Sequence, residues 1–128
     1  MARRNLGRAL GFRSGLEAEI AKQLAKAGVE AEYEQYVIKY TIPASVHKYT
    51  PDFVLPNGVI IETKGRFVQA DRAKHLLIRK TLPDYDIRFI FSNSKAKLYK
   101  GAKSTYGDWC EKHGFLYADK VIPKEWLK

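Results

Sequence analysis

Asp52, Glu62 and Lys64 are the residues of this 128-residue chain whose types and spacing suggest chemistry. Pro51 precedes Asp52, nine residues intervene before Glu62, and Lys64 follows two positions later, giving the pattern PD-x9-E-x-K. Alternate residues of a strand share a face, so Glu62 and Lys64 project to the same side. Between Asp52 and Glu62 lies Pro56-Asn57-Gly58, a turn signal of the Asn-Gly type that would fold Asp52 back beside them. Two carboxylates converging at the end of a sheet make a hard oxygen site suited to Mg²⁺ or Mn²⁺. A neighbouring ammonium can orient a water or stabilise charge developing on phosphate. For E-x-K alone, a cross-strand salt bridge of Lys64 with Asp52 or Glu62 is a sufficient account. The Pro-Asp, the hairpin spacing, the apolar run Val59-Ile60-Ile61 and the basic composition together favour a phosphodiester-cutting site.

The elements that must position these groups follow from periodicity and punctuation. Ser14 to Gly28 is expected to be a helix, capped by Ser14 with Glu17 three residues on. Leu16, Ile20, Leu24 and Ala27 share one face of it. Glu17 has two readings. It completes a capping box, or, lying about 20° from Leu24 on the helical wheel, it points inward as a further metal ligand. Glu30 to Ile42, rich in Tyr, Val and Ile, is expected to be one long strand stopped by Pro43. Asp52–Leu55 and Val59–Lys64 are expected to pair. Gln69–Leu82 is expected to be a helix ended by Pro83, Ile87–Ser92 a strand, and Thr105–His113 a helix capped by Ser104 and closed by Gly114. Strands before and between helices give an α/β architecture with a mixed sheet and helical cover.

Composition narrows the class. The chain is of single-domain size, with 45% apolar residues and a net charge of +9. Its longest uncharged stretch, Phe53 to Ile61, is too short to span a membrane. A single cysteine, Cys110, excludes an internal disulfide framework and a Cys-rich zinc module, and is read as a packed small residue. No secretory signal is expected, so the compartment is reducing cytoplasm. The charge is uneven: residues 1–13 carry four arginines and no acid, the middle is slightly acidic, and the remainder is basic again. Such a surface suggests a polyanionic partner, most often nucleic acid. Residues 1–12 are expected to be a flexible basic arm, and 13–128 one domain. Arg3, Arg4, Arg8 and Arg13 either bind phosphates or merely solubilise the arm. Lys95, Lys97, Lys100 and Lys103 form a phosphate track or a solvated loop. His47, His75 and His113 are scattered; His75 faces Arg72 and Arg79 and is read as a surface residue. Tyr33, Tyr36 and Tyr40 are read as core or interface aromatics.

The segments FRSGLE (Phe12–Glu17), YTPDF (Tyr49–Phe53), LPNG (Leu55–Gly58), ETKG (Glu62–Gly65), KHLLIR (Lys74–Arg79), KLYKG (Lys97–Gly101) and CEKHG (Cys110–Gly114) together resemble bacteriophage endonuclease I. That family comprises Holliday-junction-resolving enzymes of podophages. The resemblance runs from about Phe12 to Trp126, while the chain ends at Lys128, short of the family's longer basic tail. It implies a restriction-endonuclease-like, PD-(D/E)xK fold in an intertwined, domain-swapped homodimer. It implies that Asp52 bridges two Mg²⁺ or Mn²⁺ ions, that Glu62 and Glu17 ligate one each, and that the Thr63 main-chain carbonyl completes one set. Lys64 would sit by the attacking water, in a two-metal hydrolysis leaving a 5′-phosphate and a 3′-hydroxyl. The implied partner is branched DNA, four-way junctions above all, in the cytoplasm of an infected bacterial host, with no membrane and no small-molecule cofactor. Arg3, Arg4, Arg8, Arg13, Arg72, Lys74, Lys95, Lys97 and Lys100 are the expected DNA contacts. Alternatives are a sequence-specific or mismatch-nicking endonuclease of the same fold, or a non-catalytic DNA-binding module.

Overall fold

The computed structural model describes residues 15–42 and 45–128, with side chains outside 41–47. The arginines at 3, 4, 8 and 13, the Ser14 cap, Pro43 and the His47 side chain lie outside the described residues. In chain order the elements are α1 (Gly15–Lys26), β1 (Glu32–Tyr33), β2 (Ile38–Ile42), β3 (Ser45–Tyr49), β4 (Phe53–Val54) and β5 (Ile60–Lys64). They continue with α2 (Gln69–Thr81), β6 (Ile87–Phe91), α3 (Tyr106–His113), β7 (Tyr117–Asp119) and a 3-10 turn at Lys124–Leu127. A five-stranded sheet runs β1-β4-β5-β6-β7, and β2 and β3 form a separate two-stranded ribbon. β4 pairs antiparallel with β1 and β5, whereas β5–β6 and β6–β7 are parallel. Parallel neighbours need crossovers, which α2 and α3 supply.

The expected hairpin is present. Gly58 turns at φ 90°, Leu55 N–H donates to Val59 O at 2.8 Å, and Phe53 stands opposite Ile61. Asn57 locks this turn twice over: its Oδ1 accepts from Val59 N–H, and its Nδ2 donates to the carbonyls of Trp126 and Lys128. Alternation along β5 and β6 then divides the core. Ile60, Phe89 and Phe91 pack with Phe67, Ile78, Trp109 and Phe115 beneath α2 and α3. Ile61 and Ile90 face the other way and pack with Ile20 and Leu24 of α1, Phe53 and Trp126. Each fully buried side chain of this size contributes roughly 1.5–3 kcal/mol.

Three expectations are corrected. The long strand at Glu30–Ile42 is broken: Glu34 adopts φ 50°, a left-handed conformation uncommon for a non-glycine residue. The chain therefore leaves the main sheet after Tyr33 and re-enters extended structure at Ile38, turning back as β3. The cap of α3 is Thr105, not Ser104. Thr105 Oγ1 accepts from Asp108 N–H and Asp108 Oδ2 accepts from Thr105 N–H, whereas the residue three beyond Ser104 is Gly107, which has no side chain to reciprocate. His75 is not a surface residue, since it is 1% exposed. β3, β7 and the 3-10 turn were not anticipated.

Cys110 is fully buried, and burial followed by the nearby Glu111 pushes its thiol up to about 12, which fits its reading as a packed small residue. Tyr40 is buried, while Tyr36 is half exposed on the link between β1 and β2. Phe67 anchors the turn after β5, its ring within 5.8 Å of Phe89, Phe91, Tyr106 and Trp109. Phe67→Ala is expected to cost about 3–5 kcal/mol, read as a lowered midpoint in urea unfolding.

Candidate active site

β5 reaches the site as an apolar strand and ends in polar residues. Its alternation sends Glu62 and Lys64 to the α2 side and Thr63 to the α1 side. Asp52, one residue before β4, is drawn across the hairpin: its Oδ2 accepts from Thr63 N–H at 2.8 Å and from Thr63 Oγ1 at 3.0 Å. In return Asp52 N–H donates to Glu62 Oε2 at 3.0 Å. The three residues of the sequence pattern are thus brought together, with Lys64 Nζ 3.8 Å from Glu62 Oε1. Lys64 is shared, standing also 3.8 Å from Asp71 Oδ1 in the first turn of α2.

Glu17 arrives from α1. It is 5% exposed and accepts a 2.8 Å hydrogen bond from the Tyr33 hydroxyl, so its side chain points inward. Carboxylate oxygens of Glu17, Glu34 and Asp52 lie within 4.8 Å of one another. Such a partly buried set of hard oxygen donors fits a divalent cation such as Mg²⁺ or Mn²⁺. Glu34 was missed in the sequence because a residue inside a supposed continuous strand gave no reason to turn toward Asp52. The acidic residues alternating at 30, 32 and 34 were the one available signal. The left-handed backbone at Glu34 carries it there, with its N–H donating to Asp52 O at 3.3 Å.

Two further groups close on Glu62 and were also missed. The Tyr49 hydroxyl donates to Oε2 at 3.0 Å, and His75 Nε2 lies 3.7 Å from Oε1. Burial, followed by the neighbouring Glu62, holds the Tyr49 hydroxyl well above its ordinary value, so it remains a donor. For Glu62, burial pulls the pKa upward, but His75, then Lys64 and the Asp52 N–H, outweigh it and hold the carboxyl below its usual value. Asp52 behaves oppositely: burial and then the charge of Glu62 raise it to about 8, against the lowering effect of the Thr63 N–H.

The expected DNA contacts are placed variously. Arg72 is half-buried, and its Nη1 donates to the carbonyls of Phe67 and Leu98, fastening the segment after β6 to the start of α2. Lys74 Nζ lies 5.5 Å above the Tyr49 ring. Lys95, Lys97 and Lys100 are exposed on the segment between β6 and α3, beside Tyr99, which is 66% exposed. No described helix is long and apolar enough to cross a membrane.

A raised carboxyl has a stability signature of definite sign. Between about pH 4 and pH 8, Asp52 holds its proton in the folded chain and loses it in the unfolded one. Its contribution is therefore complete below pH 4 and is lost as pH rises to about 8, with a slope of at most about 1.4 kcal/mol per pH unit. Urea unfolding in EDTA across this range should show that decline in the wild type and a flatter profile in Asp52→Asn.

The chain as a whole is similar to known proteins. The chain is 57% identical over 117 residues to Endonuclease I of Escherichia phage T7, covering 91% of this chain and 78% of that protein. It is 57% identical over 127 residues to Endodeoxyribonuclease 1 of Enterobacteria phage T3, covering 99% and 82% respectively. The family model described as Phage endonuclease I matches residues 1–128. With the hairpin, the acidic convergence and the family match all falling on one chain, it belongs to the phage endonuclease I family.

Proposed function

We propose that this chain is a metal-dependent endodeoxyribonuclease that cuts branched DNA and resolves four-way junctions by paired phosphodiester hydrolysis. The observation that carries the reading is the convergence of Glu17, Asp52, Glu62 and Lys64 in a chain whose relatives are named Endonuclease I and Endodeoxyribonuclease 1. A pure binding module gains nothing from carboxylates turned toward phosphate, so that alternative is disfavoured.

Glu17, Glu34, Asp52 and Glu62, with the Thr63 main-chain carbonyl, would hold two Mg²⁺ or Mn²⁺ ions. When bound, such ions supply an acidified water and charge stabilisation for the leaving 3′ oxygen. Thr63 orients Asp52 by two donated hydrogen bonds. Lys64, held between Glu62 and Asp71, presents an ammonium that can orient the water and offset charge on the phosphate. Lys95, Lys97 and Lys100 would track the backbone of a DNA arm, and Arg3, Arg4, Arg8 and Arg13 would neutralise further phosphates. No base-reading motif is evident, so recognition would rest on shape and backbone contacts. Two symmetric cuts favour a two-fold homodimer. One chain brings Glu17 to Asp52 unaided, and exchange of α1 between two chains would rebuild the same contact. The reaction would take place in the cytoplasm of the infected host.

The decisive experiment incubates the protein with a labelled four-way junction and its matched linear duplex, with and without Mg²⁺. Cleavage confined to the junction and dependent on Mg²⁺ is expected; equal cutting of both substrates would remove the resolvase reading. Asp52→Asn and Glu62→Gln should lose cleavage under single-turnover conditions while keeping or tightening junction binding. Exchange is tested separately by purifying a heterodimer of Glu17→Ala and Lys64→Ala chains. If α1 is exchanged, both lesions fall in one site and the heterodimer nicks one strand. If it is not, each site carries one lesion and the heterodimer is inactive.

A further inference from the structure

Glu62 is held by groups that come from neither β4 nor β5. Tyr49, 1% exposed, ends β3 of the two-stranded ribbon, and His75, equally buried, lies midway along α2. Glu62 Oε2 is saturated at 3.0 Å by two donors, the Tyr49 hydroxyl and the Asp52 N–H. Oε1 has only the longer approaches of His75 Nε2 at 3.7 Å and Lys64 Nζ at 3.8 Å, and is the oxygen left for a cation. The His75 ring is wedged edge-on between Tyr49, 5.6 Å away, and Phe89, 4.9 Å away, so it cannot swing aside.

His75 is a poor choice for packing alone. Its Nδ1 is buried with no hydrogen-bond partner among the described residues, in surroundings that are otherwise aromatic and aliphatic. Burying an unpaired polar atom is unfavourable, and an apolar residue would serve this core better. With Nδ1 unpartnered, the ring proton belongs on Nε2, which faces Glu62. Groups behind a ligating carboxylate fix its orientation and commonly set metal affinity.

We infer that Tyr49 and His75 are positioning residues that fix the Glu62 carboxylate, so that Oε1 is presented to the cation while Oε2 is held back. The inference rests on the proposed use of these acids as a cation site. It also ties that site to the β2–β3 ribbon, since Tyr49 sits in register with Ile38 at the ribbon's near end.

The test is calorimetric titration of Mn²⁺ into the full-length protein and into Asp52→Asn, Tyr49→Phe, His75→Leu and His75→Gln, with thermal unfolding of each in EDTA. Asp52→Asn should lose the binding. Tyr49→Phe, which keeps the ring and loses only the hydroxyl, and His75→Leu should bind Mn²⁺ roughly tenfold more weakly. Their unfolding temperatures in EDTA should not fall. His75→Gln, whose amide nitrogen can occupy the Nε2 position, should recover most of the affinity. Wild-type Mn²⁺ affinity in folded Tyr49→Phe and His75→Leu would overturn the inference and leave the cation site standing. Unchanged affinity in Asp52→Asn as well would instead remove the cation site itself. Weakened binding accompanied by lowered unfolding temperatures, with no recovery in His75→Gln, would make the pair merely structural and also overturn it.

Discussion

Like charges gathered in a partly buried place repel, and that repulsion governs the end of this sheet. Glu17, Glu34 and Asp52 have carboxylate oxygens within 4.8 Å of one another, and Glu62 adjoins Asp52 on the opposite side. Two unit charges 4 Å apart interact by about 4 kcal/mol at the effective dielectric of a protein surface. The fold answers each acid differently. Glu62 receives two short donors and two more distant nitrogens, which keep it ionised. Asp52 receives its donors on one oxygen only and keeps a proton to about pH 8. Glu17 is held by Tyr33 from the edge strand. The site is a store of unfavourable electrostatics that a divalent cation would relieve.

The parts of this arrangement that were legible in the sequence are local ones. Asn57-Gly58 fixes a two-strand hairpin, and period-two alternation then puts Glu62 and Lys64 on one face. The periodicity of α1 and the Pro83 stop of α2 are equally local, and both helices lie within two residues of expectation. Glu17 was ambiguous because a capping role and an inward role occupy the same helical position. What failed was whatever depended on a partner distant in the chain. Tyr49 and His75 look unremarkable until β3 and α2 bring them to Glu62. Glu34 looked like one residue of a strand because β-rich composition does not reveal a left-handed break.

Charge of opposite sign is segregated over short distances. The overall excess is +9, yet Glu17, Glu34, Asp52 and Glu62 gather at one end of the sheet while Lys95, Lys97 and Lys100 stand exposed on the segment between β6 and α3. Arg72 joins the two regions, because it fastens Leu98 to the first turn of α2, where Asp71 reaches Lys64. A polyanion drawn to the lysines would therefore lie against the element that orients the ammonium at the site.

The parallel pairing of β5 with β6 has a consequence for biosynthesis. β5 carries Glu62 and Lys64, but its other ladder partner in the sheet is residues 87–91, beyond the whole of α2. Non-local pairings of this kind form late, because a long loop must close before any contact repays it. During translation the N-terminal acids, the hairpin and Lys64 all emerge before the strand that buries Ile60 and Ile61 in the sheet interior. The acidic cluster consequently has no rigid scaffold until most of the chain has left the ribosome. A nascent chain carries every residue of the acidic convergence before the strand that holds it in place.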